Sequence, residues 1–348
     1  MTVAKRHHTV PQFYLRGFAD GDRIATVRLP GEARFVQSVR RAASETNFYS
    51  VHGHEDGPDV FEKLLATLEG EAAHVFELIR GGTWPLDTES RTTLAHFVAL
   101  QAVRGPEQRR NMEHVAAQIT RLEIGYGGRD SVQDWMLRNR GVSITEEQAQ
   151  VVWEQATRPN GPPIHFAPIA HIRQMAELVD KLLPYLVGRP WTLVRFDRRS
   201  LITSDSPVGL VPHPDDETWL GAGFMTAWGV TYPLTRKLGL LMSDPMVFAE
   251  GVPVERVWAG ELDHAEPGTT KMERFFNGFT VNSASEWLFH HPDDGRFVPD
   301  PLPEPSPVTM RMSGGADAVH GSTTVRAPPT GLAVGGPLFQ ADRRSSKV

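Results

Sequence analysis

The stretch Lys5–Phe18 reads KRHHTVPQFYLRGF and joins a basic pair, two adjacent histidines, a proline and a dense aromatic run. Its aromatic and β-branched composition predicts a strand through TVPQFYLRGF. Residues 19–22 (ADGD) predict a turn, and residues 23–29 alternate with the period of a strand. Because adjacent strand residues point to opposite faces, His7 and His8 cannot both bind one metal on a regular strand. One of them can be a ligand or base while the other packs.

The middle of the chain has the periodicity of helices. Apolar residues recur at helical spacing from Val60 to Ile79. A second helix is predicted over Thr88–Val103, with Asp87 as its cap. Further on, the pair Thr145 and Gln148 has the spacing of a capping box before another amphipathic run. A mainly helical region over about residues 59–188 follows from these patterns.

The chain changes in character after this region. Short apolar segments bounded by turn residues predict a small sheet over about residues 191–250, followed by another helix. Residues 299–348 are rich in Pro, Gly and Ser and predict a disordered tail. The fold expected is therefore α+β: one domain over residues 1–298 with an N-terminal β segment, a helical middle, and the later sheet and helix.

Composition excludes several classes of protein and site. The 348 residues carry a formal net charge of −6, which argues against binding of nucleic acid through net charge alone. There is no cysteine, so a metal site has to use His, Asp, Glu or water. No apolar run approaches the roughly 20 residues that span a bilayer, and the N-terminus turns polar at once. We expect a cytoplasmic protein without a membrane partner.

Two acidic residues of the first long helix, Glu62 and Glu69, are seven positions apart. At about 100° per residue they return to nearly the same side of the helix, beside its apolar stripe. Two carboxylates placed in this way can hold a divalent cation or share a proton. The alternative is the ordinary solvated edge of an amphipathic helix.

Gln101 and Arg104 lie among apolar positions of the second long helix, three residues apart. At this spacing their side chains are neighbours on the helix surface. A guanidinium in such a place is suited to bind a carboxylate or a phosphate through two hydrogen bonds. The alternative is a buried arginine paired with an acidic residue of the core.

Asp205 follows a predicted strand and precedes Ser206-Pro207. Carboxylates at strand ends are often functional, since loops there carry binding and catalytic residues. The competing interpretation is an Asx-turn, in which the side chain only binds nearby backbone.

The stretch PHPDDE at residues 212–217 resembles the metal-binding signature of zinc-dependent N-acetylglucosaminyl-phosphatidylinositol deacetylases. That resemblance implies a zinc site at His213, Asp215 and Asp216. The family completes its site with a later His-x-x-His pair, which this chain lacks. Proline followed by two aspartates is also ordinary turn chemistry.

Several blocks over roughly residues 5–292 read, in chain order, HHTVPQFYLRGF, ETNFYS, the Glu-rich helix from Phe61, LQAVRGPEQR, ITSDSPV, YPLTRKLGLLMS and NSASEWLF. Together they resemble a mostly bacterial family catalogued as domain of unknown function 4238. The resemblance implies a recurrent pattern and no particular activity. Its members in this chain are His7, His8, Pro11, Tyr14, Asn47, Tyr49, Arg104, Asp205 and Pro207.

These observations lead to an expected function. The leading hypothesis is a metal-dependent hydrolase of phosphodiesters, a nuclease or toxin-like defence enzyme, that uses Mg²⁺, Mn²⁺ or Zn²⁺ and acts on nucleic acid or another phosphate-containing substrate. The second hypothesis is a non-catalytic binding or regulatory module, and the third is the deacetylase. For the leading hypothesis the expected catalytic residues are His8, Arg104 and Asp205, the metal ligands His7, His8, Glu69 and Asp205, and the substrate-binding residues Tyr14, Asn47 and Gln101.

Overall fold

The computed structural model describes residues 6–46, 48–49, 60–213, 222–248 and 251–305. Its helices are α1 (Gln12–Arg16), α2 (Val60–Arg80), α3 (Thr88–Val103), α4 (Pro106–Gly127), α5 (Val132–Arg140), α6 (Glu146–Ala156), α7 (Pro168–Val187), α8 (Val254–Trp258) and α9 (Thr270–Ser283). Its strands are β1 (Arg6–His8), β2 (Arg23–Arg28), β3 (Ala33–Ser38), β4 (Ser44–Thr46), β5 (Trp191–Arg195), β6 (Thr203–Ser204), β7 (Gly209–Val211), β8 (Gly229–Thr235), β9 (Leu238–Ser243), β10 (His264–Pro267) and β11 (Trp287–His290).

The α+β fold expected from the sequence is confirmed. The helix caps are also those predicted: Asp87 Oδ1 accepts from the backbone N–H of Ser90 at 2.7 Å, and Thr145 and Gln148 form a capping box. These signals are local, because a cap needs only a polar side chain within the first turn. That is why they could be found without knowledge of the tertiary structure.

One strand of the N-terminal segment, β2, pairs with the late strand β11. One sheet has the order β3-β2-β11-β6, in which β11 lies antiparallel to both β2 and β6. A second sheet has the order β10-β5-β9-β8-β7, with β10 parallel to β5 and the other pairs antiparallel. The short strands β1 and β4 form an antiparallel pair of their own. The first fifty residues therefore depend on strands more than 150 residues later.

The described chain divides into two compact units. The larger unit comprises the described residues of 6–106 and 168–305 and contains all three sheets. The smaller unit comprises residues 107–167, where α5 and α6 pack around a small apolar cluster of Ile124, Val132, Ala149 and Ala156. This division is finer than the single domain over residues 1–298 that the sequence predicted.

The strand predicted through residues 9–18 is wrong, because Gln12–Arg16 form the helix α1. Pro11 precedes the helix in an extended conformation, and the backbone N–H of Leu15 donates to its carbonyl. The helical turn places Tyr14, Leu15 and Phe18 fully inside the core. Burial of these large side chains outweighs their preference for strands, which is weak and depends on context.

The start of the disordered tail was predicted at residue 299, but the ordered part of the chain extends beyond this residue. Residues 299–305 are described, and Leu302 packs against the apolar cluster of Val27, Leu29 and Leu288. Residues 306–348 lie outside the described part of the chain. No helix among the described residues combines the length and apolar character that a membrane span requires.

Tyr14 lies at the centre of the larger core. Its ring is 5.3–6.4 Å, between centroids, from those of Phe18, Phe76, Phe97 and Tyr232. Its hydroxyl donates to the carbonyl of Pro233 at 2.7 Å and lies 2.7 Å from the hydroxyl of Thr203. Burial raises the pKa of the Tyr14 hydroxyl. The side chain therefore joins α1 to the two large sheets and is not available to a substrate.

We predict that Tyr14→Phe lowers the free energy of unfolding by about 1–3 kcal/mol, because it leaves the buried carbonyl of Pro233 without this donor. Urea unfolding of the full chain measures the change. Tyr126→Phe is the matched control, since Tyr126 is 86% exposed, and it should leave the unfolding midpoint unchanged. Equal midpoints for the two variants would contradict the role assigned to the Tyr14 hydroxyl.

Candidate functional site around the paired histidines

The pairing of β1 with β4 separates the two histidines in the way the strand geometry predicts. His7 is fully buried, whereas Arg6 is exposed and His8 half-buried, so Arg6 and His8 share the outer face of β1. The backbone N–H of Tyr49 donates to His7 Nδ1 at 2.6 Å, and the His7 ring stacks on the Tyr49 ring with centroids 5.8 Å apart. His7 therefore connects β1 to the turn at Tyr49 through a hydrogen bond and a ring contact.

His8 has the environment of a base. Its Nε2 lies 3.1 Å from the carbonyl oxygen of Arg40. Partial burial lowers the pKa of His8 from its ordinary value of 6.5 and outweighs the opposite effect of the carboxylates of Glu62 and Glu69. The imidazole is consequently neutral at pH 7 and able to accept a proton. The influence of both carboxylates on His8 also places the acidic flank of α2 beside β1.

Arg104 connects these elements from within the core. Only 2% of this residue is exposed, and its Nη2 donates to the backbone carbonyl of His8 at 2.7 Å. Its Nη1 forms an ion pair with Glu69 Oε1 at 2.9 Å, and its own carbonyl accepts from the Tyr49 hydroxyl at 2.9 Å. Burial by itself lowers the pKa of Arg104, but Tyr49 and Glu69 together raise it above its ordinary value. The guanidinium is charged and binds the backbone of His8 from the inner side of β1, and its acidic partner Glu69 is partly exposed and not a residue of the core.

Gln101 is buried one helical turn before Arg104, at 2% exposure. Neither its amide oxygen nor its amide nitrogen has a hydrogen-bond partner among the residues that the structure describes. Gln101 lies in the last turn of α3, and Arg104 is the residue that caps the C-terminus of this helix. Asn47, the third predicted substrate-binding residue, lies outside the described residues.

Asp205 has a structural use. Its carboxylate accepts three backbone hydrogen bonds, from Ser285 at 2.9 Å, Glu286 at 2.9 Å and Trp287 at 3.1 Å. Two of these N–H groups lie in the turn between α9 and β11 and the third, that of Trp287, is the first of β11, so the side chain fixes the start of this strand. This arrangement favours the backbone-binding interpretation of Asp205, although its partners are some 80 residues away and not in its own turn.

The predicted metal ligands are not assembled into one site. Among the described residues, no group of three or more His, Asp or Glu side chains is arranged to hold a metal ion. His7 accepts a hydrogen bond from the backbone of Tyr49, and Glu69 forms an ion pair with Arg104. Asp205 accepts hydrogen bonds from the backbone at the start of β11. Among the candidates in the described residues, only the side chains of His8 and Glu62 are both partly exposed and close to each other. The sequence marked Glu62 as a candidate through its spacing from Glu69.

The deacetylase motif is described only in part. His213 is exposed, and its ring meets the Trp228 ring edge-on with centroids 6.3 Å apart. Asp215, Asp216 and Glu217 lie outside the described residues. The zinc site predicted for this motif therefore stays a prediction.

Sequence reasoning missed the two arginines on the outer face of the site. Arg6 precedes the histidines and Arg40 accepts from His8 through its carbonyl, and both side chains are exposed. Neither has an acidic side chain within 4 Å among the described residues. The basic character of the first forty residues was the available signal, but it did not distinguish these two from the other arginines of that segment.

We predict that Asp205→Asn lowers the free energy of unfolding by about 1–3 kcal/mol, since the amide offers one acceptor oxygen where the carboxylate offers two. Urea unfolding measures the loss. Asp22→Asn, at an exposed position, is the control and should have no effect. An unchanged unfolding midpoint for Asp205→Asn would contradict the structural role assigned to this carboxylate.

Comparison with known proteins gives one match. The model of the family described as "Protein of unknown function (DUF4238)" matches residues 6–294. No curated protein and no solved structure matches the chain. The matched range includes β1, α1, Arg104 with its partner Glu69, and Asp205 with the backbone groups that it binds. The chain belongs to the DUF4238 family.

Proposed function

We propose that the protein is a hydrolase of phosphodiesters in which His8 accepts the proton of the attacking water. The observation that carries the proposal is the state of the His8 ring. A carbonyl oxygen only accepts hydrogen bonds, so the contact with Arg40 requires the proton on Nε2 and leaves the lone pair on Nδ1. The lowered pKa keeps this ring neutral at pH 7.

The charges around His8 support a phosphate-containing substrate. Arg6 shares the outer face of β1 with His8, and Arg40 adjoins the imidazole through its backbone. An exposed guanidinium without an acidic partner binds phosphate oxygens well, because its N–H fork matches their geometry. In this proposal Arg6 and Arg40 take the role that the sequence assigned to Arg104, and Arg104 positions the base.

The reaction follows from these groups. Water beside His8 Nδ1 attacks phosphorus, and its proton passes to Nδ1 as the new P–O bond forms. The bond to the leaving oxygen breaks with its electron pair on that oxygen, which takes a proton from solvent. His8 then returns its proton to solvent. Arg6 and Arg40 compensate the negative charge that grows on the phosphate oxygens.

A divalent cation remains part of the proposal with a smaller set of protein ligands. Glu62 is the candidate, because the other expected ligands bind groups of the core and the lone pair of His8 Nδ1 accepts the proton of the attacking water. Mg²⁺ is commonly held by one or two carboxylates together with water and substrate phosphate, so a small set suits it better than Zn²⁺. The narrower expectations, a cytoplasmic nuclease or toxin-like defence enzyme, belong to this proposal as well.

A non-catalytic binding module is the second candidate function. It is favoured by the structural use of Tyr14, Arg104 and Asp205, three residues that recur in the family pattern and bind backbone groups here. Under this alternative His8 only secures Arg40, and substitution of the ring has no catalytic consequence.

We predict that the protein hydrolyses bis(p-nitrophenyl) phosphate or a single-stranded oligonucleotide, and that His8→Gln lowers the rate about 10²- to 10⁴-fold. Glutamine can still donate to the Arg40 carbonyl, so the fold should be kept. Assays use chelator-treated protein with and without Mg²⁺, Mn²⁺ or Zn²⁺. His165→Gln is the control, because that side chain is 84% exposed, and it should retain the full rate. A wild-type protein inactive on every phosphodiester, or a fully active His8→Gln, favours the binding module.

The pH dependence gives a further prediction. A base must be deprotonated, so the rate should rise with pH through the pKa of His8, with the midpoint of the rise below the ordinary value of 6.5. Glu62→Gln removes a charge that favours the imidazolium, so the rise should move to still lower pH. Glu71→Gln, on the exposed side of α2, should leave it in place. A rise that moves to higher pH in Glu62→Gln contradicts the assignment.

A further inference from the structure

A second concave site lies in the larger unit and shares no residue with the histidine site. It is a cavity of about 720 Å³. Its wall is formed by the loop after β5, by α9 and by the residues that follow β11, and the lining includes Arg198, Arg199, Glu273, Arg274, Arg296 and Asp300. Cavities of about 300–1,000 Å³ are typical of sites for small ligands.

The cavity has an excess of positive charge on a chain that is acidic as a whole. Four arginines face two carboxyl groups, one of which, Glu273, lies 3.7 Å from Arg199. The other three arginines have no acidic side chain within 4 Å in the described parts of the chain. Their side chains are exposed and come from three separate segments of the sequence. Like charges repel, so convergence of these segments costs free energy unless an anion offsets it.

Glu273 and an apolar wall complete the lining of the cavity. Glu273 is buried, and its Oε1 accepts from the side-chain amide of Asn277 at 2.8 Å. Burial raises the pKa of Glu273. The lining also has an apolar part, made of Phe297, Val298 and Pro299, with Arg296 stacked 4.9 Å from the Phe297 ring centroid.

We infer that this cavity binds a small ligand that carries two or more phosphate groups, such as a nucleoside diphosphate. Guanidinium groups bind phosphate through paired hydrogen bonds, and a single phosphate uses one or two of them. Three unpaired guanidiniums and a fourth weakly paired one match a diphosphate or triphosphate better. The apolar wall provides a surface for the rest of the ligand.

Isothermal titration of the full chain with pyrophosphate, ADP and inorganic phosphate tests the inference. ADP and pyrophosphate should bind more tightly than inorganic phosphate. Arg274→Gln and Arg296→Gln should each weaken ADP binding by about tenfold or more, the usual loss for a charge-assisted hydrogen bond. Arg140→Gln, an exposed arginine of α5, removes the same charge elsewhere and should bind ADP as the wild type does.

Three results would overturn the inference: no binding of ADP or pyrophosphate, equal loss in the Arg140→Gln control, or tighter binding of a single-stranded oligonucleotide than of ADP with the same dependence on Arg274 and Arg296. The last result would assign the cavity to nucleic acid. His8→Gln should bind ADP unchanged. The failure of this inference and the failure of the proposed hydrolase activity are therefore separate outcomes.

Discussion

The buried guanidinium of Arg104 determines how the N-terminal part of the molecule is arranged. Moving this charge out of water is costly, and an opposite charge together with hydrogen-bond acceptors of good geometry offsets the cost. Glu69 supplies the opposite charge from α2, and the carbonyl of His8 supplies an acceptor from β1. Loss of one member would leave a buried charge without compensation, so β1, α2 and the end of α3 are fixed as one group.

The same physical rule explains the structural use of two further residues that the sequence marked as candidates. Tyr14 satisfies a buried carbonyl of β8, and Asp205 satisfies three N–H groups before β11. Unsatisfied polar groups in the interior are costly, and a side chain that satisfies them over a long distance in sequence is hard to replace. A recurrent polar residue can therefore mark a joint between elements as readily as it marks a reaction centre.

What could be predicted from the sequence depends on the range of the interactions involved. Some features depend on neighbours only three or four residues away and can be found from the local sequence pattern. They are the helices α2 and α3, the Asp87 cap and the proximity of Gln101 to Arg104. The helix α1 was missed because five residues carry little periodicity and the core decides their conformation. The partners of Asp205 were beyond prediction, since nothing local connects residue 205 with residues 285–287. The arginine-lined cavity could not be predicted for the same reason, because its arginines come from separate segments of the sequence. The net charge of −6 gives no indication of a local excess of positive charge.

The paired histidines show how structure and chemistry divide between adjacent residues. The two-residue period of a strand sends His7 into the core and His8 outward, so one sequence motif produces one anchor and one partly exposed ring, which the proposed function uses as the base. The anchor is useful to the ring, because His7, Tyr49 and Arg104 hold the backbone of β1 from its inner side. In the proposed hydrolase, a base that is fixed in this way loses little entropy when a substrate binds, and its partial burial lowers its pKa. The polar core beneath β1 and the imidazole on its outer face are therefore two parts of one arrangement.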